Sequence, residues 1–129
     1  MKTILIVDDS PTIRRMVRAA FGQAPVSVVE AASGLEAIEQ LSLAPVALIV
    51  LDLNMPDMHG LEVLQFVRRH PAYRSLPVIV LTTRGDEASR DAALAAGANV
   101  YLTKPFLPQV LAEHARSLYD GGGAANAAP

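Results

Sequence analysis

The apolar run Ile4–Val7 ends on two adjacent carboxylates, Asp8 and Asp9. A second run, Val46–Leu51, ends on Asp52, followed by Leu53 and Asn54. Val78–Leu81 leads into Thr82 and Thr83, and Val100–Leu102 leads into Thr103, Lys104 and Pro105. Neighbouring carboxylates repel one another unless a cation or a proton lies between them. Lys104 supplies one positive charge, and a hard divalent cation supplies two more. With oxygen ligands only and no His or Cys nearby, magnesium is the ion that suits the set. Asp8 and Asp9 would then cradle the metal, with Asn54 offering its backbone carbonyl. Asp52, alone at its strand end, is the carboxylate placed to attack phosphorus and become an acyl phosphate. Thr82 and Lys104 would hold the phosphoryl oxygens by hydrogen bond and charge.

For these residues to meet, the elements must bring five run ends to one edge. Ile4–Val7, Val26–Val29, Val46–Leu51, Val78–Leu81 and Val100–Leu102 read as strands, rich in Val and Ile and bounded by turn residues. The third and fourth lack clean alternation, as strands covered on both faces do. Between them lie helical patterns. Ser10 is an N-cap ahead of Pro11, with Ile13, Met16, Val17, Ala20 and Phe21 on the apolar face. Ser33 and Glu36 form a capping-box pattern before Leu35, Ile38 and Leu41. Leu61, Leu64 and Val67 mark a third helix, and residues 86–96 an alanine-rich fourth closed by Gly97. Pro108 opens a fifth, with Leu111 and Leu118 inward. Strict β-α alternation predicts an α/β fold with an open, doubly wound parallel sheet. Ligands of such sheets bind beyond the carboxyl ends of the strands, where the acids, Thr82 and Lys104 fall.

Composition narrows the function classes. A chain of 129 residues fits one domain, and 51% hydrophobic residues argue for a packed core. A net charge of −2 does not suit a nucleic-acid binder working by electrostatics. No cysteine is present, which excludes a disulfide framework and thiolate chemistry. The apolar start is too short for a signal peptide or a membrane span, so a soluble, cytoplasmic protein without membrane insertion is expected. No dinucleotide fingerprint, P-loop or nucleophile elbow occurs, so a phosphoryl donor must come from outside. His59, His70 and His114 lack metal spacing. Arg14, Arg15 and Arg18 read as a solvated helix face. The alanines of the fourth helix are good helix formers that bury little area each, which fits either simple propensity or a loosely anchored, movable element. Residues 121–129 read as a flexible Gly/Ala-rich tail after a domain spanning 1–120.

Together these segments resemble the receiver domain of bacterial two-component response regulators. "ILIVDDSPTIRRMV" is similar to the stand-alone regulators of the CheY type, "LDLNMPDMHGLEVL" to the phosphoacceptor strand and its loop, "LTT" to the switch-threonine strand, and "VYLTKPF" to the lysine–proline motif. The likeness spans about residues 3–119. It implies a flavodoxin-like (βα)5 fold with strand order 2-1-3-4-5, the doubly wound order that flavodoxin and CheY share. It implies Asp52 as phosphoacceptor, Asp8, Asp9, Asp52 and the Asn54 carbonyl around Mg2+, and Lys104 and Thr82 on the phosphoryl group. Tyr101 would be the switch aromatic, and the Lys104–Pro105 bond would be cis. Asn54 and Arg84 would flank the path of the hydrolytic water, beside Thr83. A sensor histidine kinase would be the donor, and a flagellar switch component, motility protein or kinase the target of the helix 4–strand 5–helix 5 face. A monomer is expected, with a dimer through that face as the alternative. Two rivals stand beside this reading: a phosphorylation-independent interaction module of the same fold, and a magnesium phosphatase with an aspartyl nucleophile. The adjacent aspartates and short loops argue against the second.

Overall fold

Strands that present side chains to two faces need cover on both, and helices with one apolar stripe provide it. The computed structural model describes residues 1–55, 57–83 and 85–122. The order is β1 (Lys2–Val7), α1 (Pro11–Ala20), β2 (Val26–Ala31), α2 (Gly34–Leu43), β3 (Leu48–Leu51), α3 (Gly60–Arg69), β4 (Val78–Thr82), α4 (Glu87–Ala95), β5 (Val100–Thr103) and α5 (Pro108–Arg116). A π-helical turn, Ser117–Gly122, follows α5. All pairings are parallel, in the order β2-β1-β3-β4-β5. The flavodoxin-like arrangement implied by the resemblance is therefore the one observed.

Alternate residues of the central strands divide into two cores. Leu5, Val7, Ile49, Leu51, Val78 and Val80 pack with Leu41, Val63, Leu64, Val67 and Ala93, from α2, α3 and α4. Ile4, Ile6, Leu48, Val50, Ile79 and Leu81 pack with Val17 of α1, Phe21 just after it, and Leu111 and Ala115 of α5. Burial on both faces explains why β3 and β4 read as unbroken apolar runs.

Local chemistry sets the element boundaries. The Ser10 hydroxyl accepts from the Ile13 N–H at 3.2 Å, with Pro11 at the first helical position. The Ser33 hydroxyl accepts from the Glu36 N–H at 3.1 Å. The Glu36 carboxylate reaches back one residue beyond a reciprocal capping box, to the Ala32 N–H at 3.1 Å. Gly97 ends the α4 segment at φ +111°, a left-handed conformation that favours glycine.

Some details depart from the sequence reading. β3 begins at Leu48, after Val46 and Ala47. β2 runs on through Glu30 and Ala31, which pair with Ile6 and Val7 rather than opening a loop. Met16 and Leu35 are 42% and 63% exposed. Met16 sits at the margin of the stripe centred on Val17 and Ala20. Leu35 follows buried Gly34 by one residue, roughly 100° round the helix. Gly121 and Gly122 belong to the π-helical turn. The rest of the expected tail, 123–129, lies outside the described residues, as does Arg84.

Candidate functional site

Strand order decides what the carboxyl edge collects. β1 lies between β2 and β3, with Val7 in register with Ala31 and Leu51. Asp8 and Asp52 therefore leave neighbouring strands side by side, and the Asp52 N–H donates to the Val7 carbonyl at 2.9 Å. Each of Asp8, Asp9 and Asp52 offers a carboxylate oxygen within 4.8 Å of the others. Lys104, from the end of β5, places its ammonium 2.7 Å from Asp8 Oδ2 and 3.4 Å from Asp52 Oδ1. Its own N–H donates to the Thr82 carbonyl at 2.8 Å, which aligns the β5 end with that of β4. Asn54 Nδ2 donates to the Thr82 hydroxyl at 3.2 Å. The Lys104–Pro105 peptide is cis, as expected. Tyr101 is half-buried against the core beneath α2, α3 and α4.

The charges are held under unequal conditions. Asp8 and Asp52 are 3% and 4% exposed and Thr82 is fully buried, whereas Asp9 is exposed. Burial pushes the Asp52 carboxyl above the ordinary carboxylate range, and the Asp8 charge pushes it further. Lys104 and the Asn54 backbone N–H act in the opposite direction. Asp8 and Asp52 share one ammonium and Asp9 lies beside them, so the cluster carries an excess of negative charge that a hard, multiply charged cation would relieve. The donor set is all oxygen, which fits magnesium or manganese.

A family model for the response regulator receiver domain matches residues 4–116. This chain belongs to the receiver family. Among its relatives, chemotaxis protein CheY1 of Helicobacter pylori is 41% identical over 112 residues, covering 85% of this chain and 90% of that one. Chemotaxis response regulator CheY4 of Vibrio cholerae superposes with a TM-score of 0.84 at 36% identity, over 92% of this receiver and 98% of that chain. The Mn(2+)-bound form of response regulator Rcp1 superposes with a TM-score of 0.78 at 30% identity, over 92% and 94% of the two chains. Among the described residues of this receiver, no helix is long and apolar enough to cross a membrane.

The structure gathers Asp8, Asp9, Asp52, Asn54, Thr82 and Lys104 at one edge, as the spacing predicts. Two participants were not foreseen. Arg14, read as part of a solvated face, is instead folded inward, its side chain 16% exposed and paired with Glu30. Arg18 pairs with the other Glu30 oxygen, and Arg15 is exposed. Asp57, in the loop after Asn54, accepts from the Gly34 and Leu35 N–H groups at 3.2 and 3.1 Å, tying that loop to the start of α2. The signal for Arg14 lies in its spacing from Arg18, which puts both on one helix face. It becomes readable only once β2 is known to lie beside β1.

Proposed function

We propose that this receiver accepts a phosphoryl group from a histidine kinase onto Asp52 and relays the change to a protein partner. The observation that carries the reading is the buried Asp8–Lys104–Asp52 cluster at the carboxyl edge. An Asp52 oxygen attacks phosphorus in line as the phosphorus–nitrogen bond of phosphohistidine breaks, and the imidazole leaves. The Asp8 and Asp9 carboxylates, Asp52 and the Asn54 carbonyl would hold Mg2+, which when bound offsets charge on the transferred oxygens. Lys104, now shared between two aspartates, turns an ammonium hydrogen to a phosphoryl oxygen. Thr82, buried beside Asn54, provides the hydroxyl contact and passes the change to Tyr101. The same site returns Asp52 to its free form when water attacks the acyl phosphate.

The charge change at Asp52 shifts a conformational equilibrium that ends at the α4–β5–α5 face. The CheY relatives favour a role in chemotaxis or motility signalling in the cytoplasm, with a flagellar switch component, motility protein or kinase as the target. The receiver spans residues 1–120, and the protein acts as a monomer, with a dimer through the α4–β5–α5 face as the alternative. The test is treatment with acetyl phosphate and magnesium, followed by intact mass. Wild type gains one phosphoryl group and Asp52→Asn gains none. No gain in wild type, or an equal gain in the variant, overturns the reading.

A further inference from the structure

We propose that Arg14, anchored by Glu30, is a positioning residue that aims the cation-holding Asp8–Asp9 loop. The proposal rests on the reading of Asp8, Asp9 and Asp52 as a cation site. Asp8 is held at four points. Its N–H donates to the Ala31 carbonyl at 3.1 Å. Its Oδ1 accepts from the Ser10 N–H at 2.9 Å, and its Oδ2 from Lys104 at 2.7 Å. The fourth point is its backbone carbonyl, which accepts from Arg14 Nη1 at 2.6 Å. Arg14 is itself fixed, because its Nε donates to Glu30 Oε1 at 2.9 Å.

Glu30 and Ala31 are consecutive at the end of β2. That strand end therefore grips the Asp8 residue from both sides, directly at the N–H through Ala31 and by relay at the carbonyl through Glu30 and Arg14. The carbonyl shares a rigid plane with the N–H of Asp9. Turning that plane swings Asp9, the exposed member of the carboxylate cluster, for whose carboxylate no hydrogen bond is present among the described residues. The aim of Asp9 then depends on the peptide that Arg14 holds. A guanidinium presents Nε and Nη1 to two acceptors at once, which an ammonium on a flexible stem does not reproduce. Groups that orient metal ligands from behind set affinity without touching the ion.

Sign separates this role from plain electrostatics. Arg14 is a cation near a cation site, so Coulomb repulsion alone predicts that removing it tightens metal binding. Positioning predicts that removing it weakens binding. The experiment measures Mn2+ binding to the full chain by electron paramagnetic resonance, alongside urea unfolding. Arg14→Met is expected to weaken binding about 10-fold, and Arg14→Lys to restore only part of it. Arg18→Met, which breaks the other contact to Glu30 and none to Asp8, leaves affinity unchanged. Equal or tighter binding by Arg14→Met, or an equal loss in Arg18→Met, overturns the proposal. If Arg14→Met does not fold, Glu30→Gln replaces it: a smaller loss of the same sign supports the relay, and unchanged affinity overturns it. If wild type binds no Mn2+, the cation reading has failed on its own. The NMR order parameter of the metal-free Asp9 amide then decides, falling in Arg14→Met if Arg14 holds the peptide and staying level if it does not.

Discussion

α3 and α4 flank the site on the same side of the sheet, yet they are attached in opposite ways. α3 buries Val63, Leu64 and Val67 and begins at Gly60, which lies so close to the β3 end that a Cβ there would sit 2.3 Å from the Asp52 carbonyl oxygen. α4 buries Ala93 alone. One methyl group contributes about 0.8 kcal/mol, against roughly 2 kcal/mol for each buried Leu or Val. The two ends of α4 differ as well. At the end remote from the site, Arg68 of α3 donates to the Gly97 carbonyl from Nε at 3.0 Å and Nη2 at 2.7 Å. The same guanidinium reaches the Leu76 carbonyl at 2.7 Å and Asn99 Oδ1 at 3.0 Å. At the end near the site, the Asp86 carboxylate caps the helix by accepting from the Ser89 N–H at 3.0 Å. Beside that end lies a cleft of about 260 Å³, lined by Leu53, Asn54, His59 and Ser89 among others. α4 is thus tied at its far end, lightly packed and next to open space, whereas α3 is packed along its length.

The strongest way to break the contrast is through packing. Leu64→Ala in α3 should cost about 3 kcal/mol in urea unfolding, while Ala93→Gly in α4 should cost about 1 kcal/mol. Equal losses would remove the distinction. Next is the tie between the helices. Arg68→Met leaves the Gly97 and Leu76 carbonyls without their donor and should cost about 2 kcal/mol, with hydrogen exchange rising at the α4 C-terminus. Exchange that rises elsewhere instead would mean that Arg68 does not tether α4. Asp86→Ala should cost about 1 kcal/mol, and its increased exchange should stay within the first turn of α4. Spread of that increase into α3 would show that the two helices move as one.

The smallest effect is a slope in pH, because Lys104 and the Asn54 N–H offset part of the cost of charging Asp52. The folded-state pKa of Asp52 is raised above its unfolded value by burial and by Asp8. Its contribution to stability is fully present below the unfolded pKa and is lost as pH rises through the folded pKa. Metal-free Asp52→Asn should therefore gain stability over wild type as pH rises from acidic to neutral. A difference that does not change with pH would show that Asp52 ionises as freely folded as unfolded.

Periodicity and caps were enough to find the five strands and the five α-helices, because each carries its own local signal, but not the π-helical turn after α5. Ser10–Pro11 and the left-handed Gly97 show it plainly. The carboxyl-edge rule placed Asp8, Asp52, Thr82 and Lys104 together, but the strand order came from family resemblance, since an apolar run does not state its neighbour. Met16 shows the limit of an apolar pattern: a methionine at the margin of a narrow stripe reads as buried and stands exposed. Arg14 shows the converse. A charged residue on a helix reads as solvated until the strand bearing its counter-ion is put in place, and that information is tertiary.

The ion pair between Lys104 and Asp8 closes across 96 residues of chain. Contacts so distant in sequence slow folding, because the closure entropy of the intervening chain must be met before they are rewarded. During synthesis, the strands bearing both buried aspartates emerge long before the fifth strand delivers the lysine. The pocket is therefore complete only in a fold that brings the end of β5 to the ends of β1 and β3. The charge balance of the pocket is in this sense a property of the whole fold, set by a lysine far along the chain from the acids it pairs.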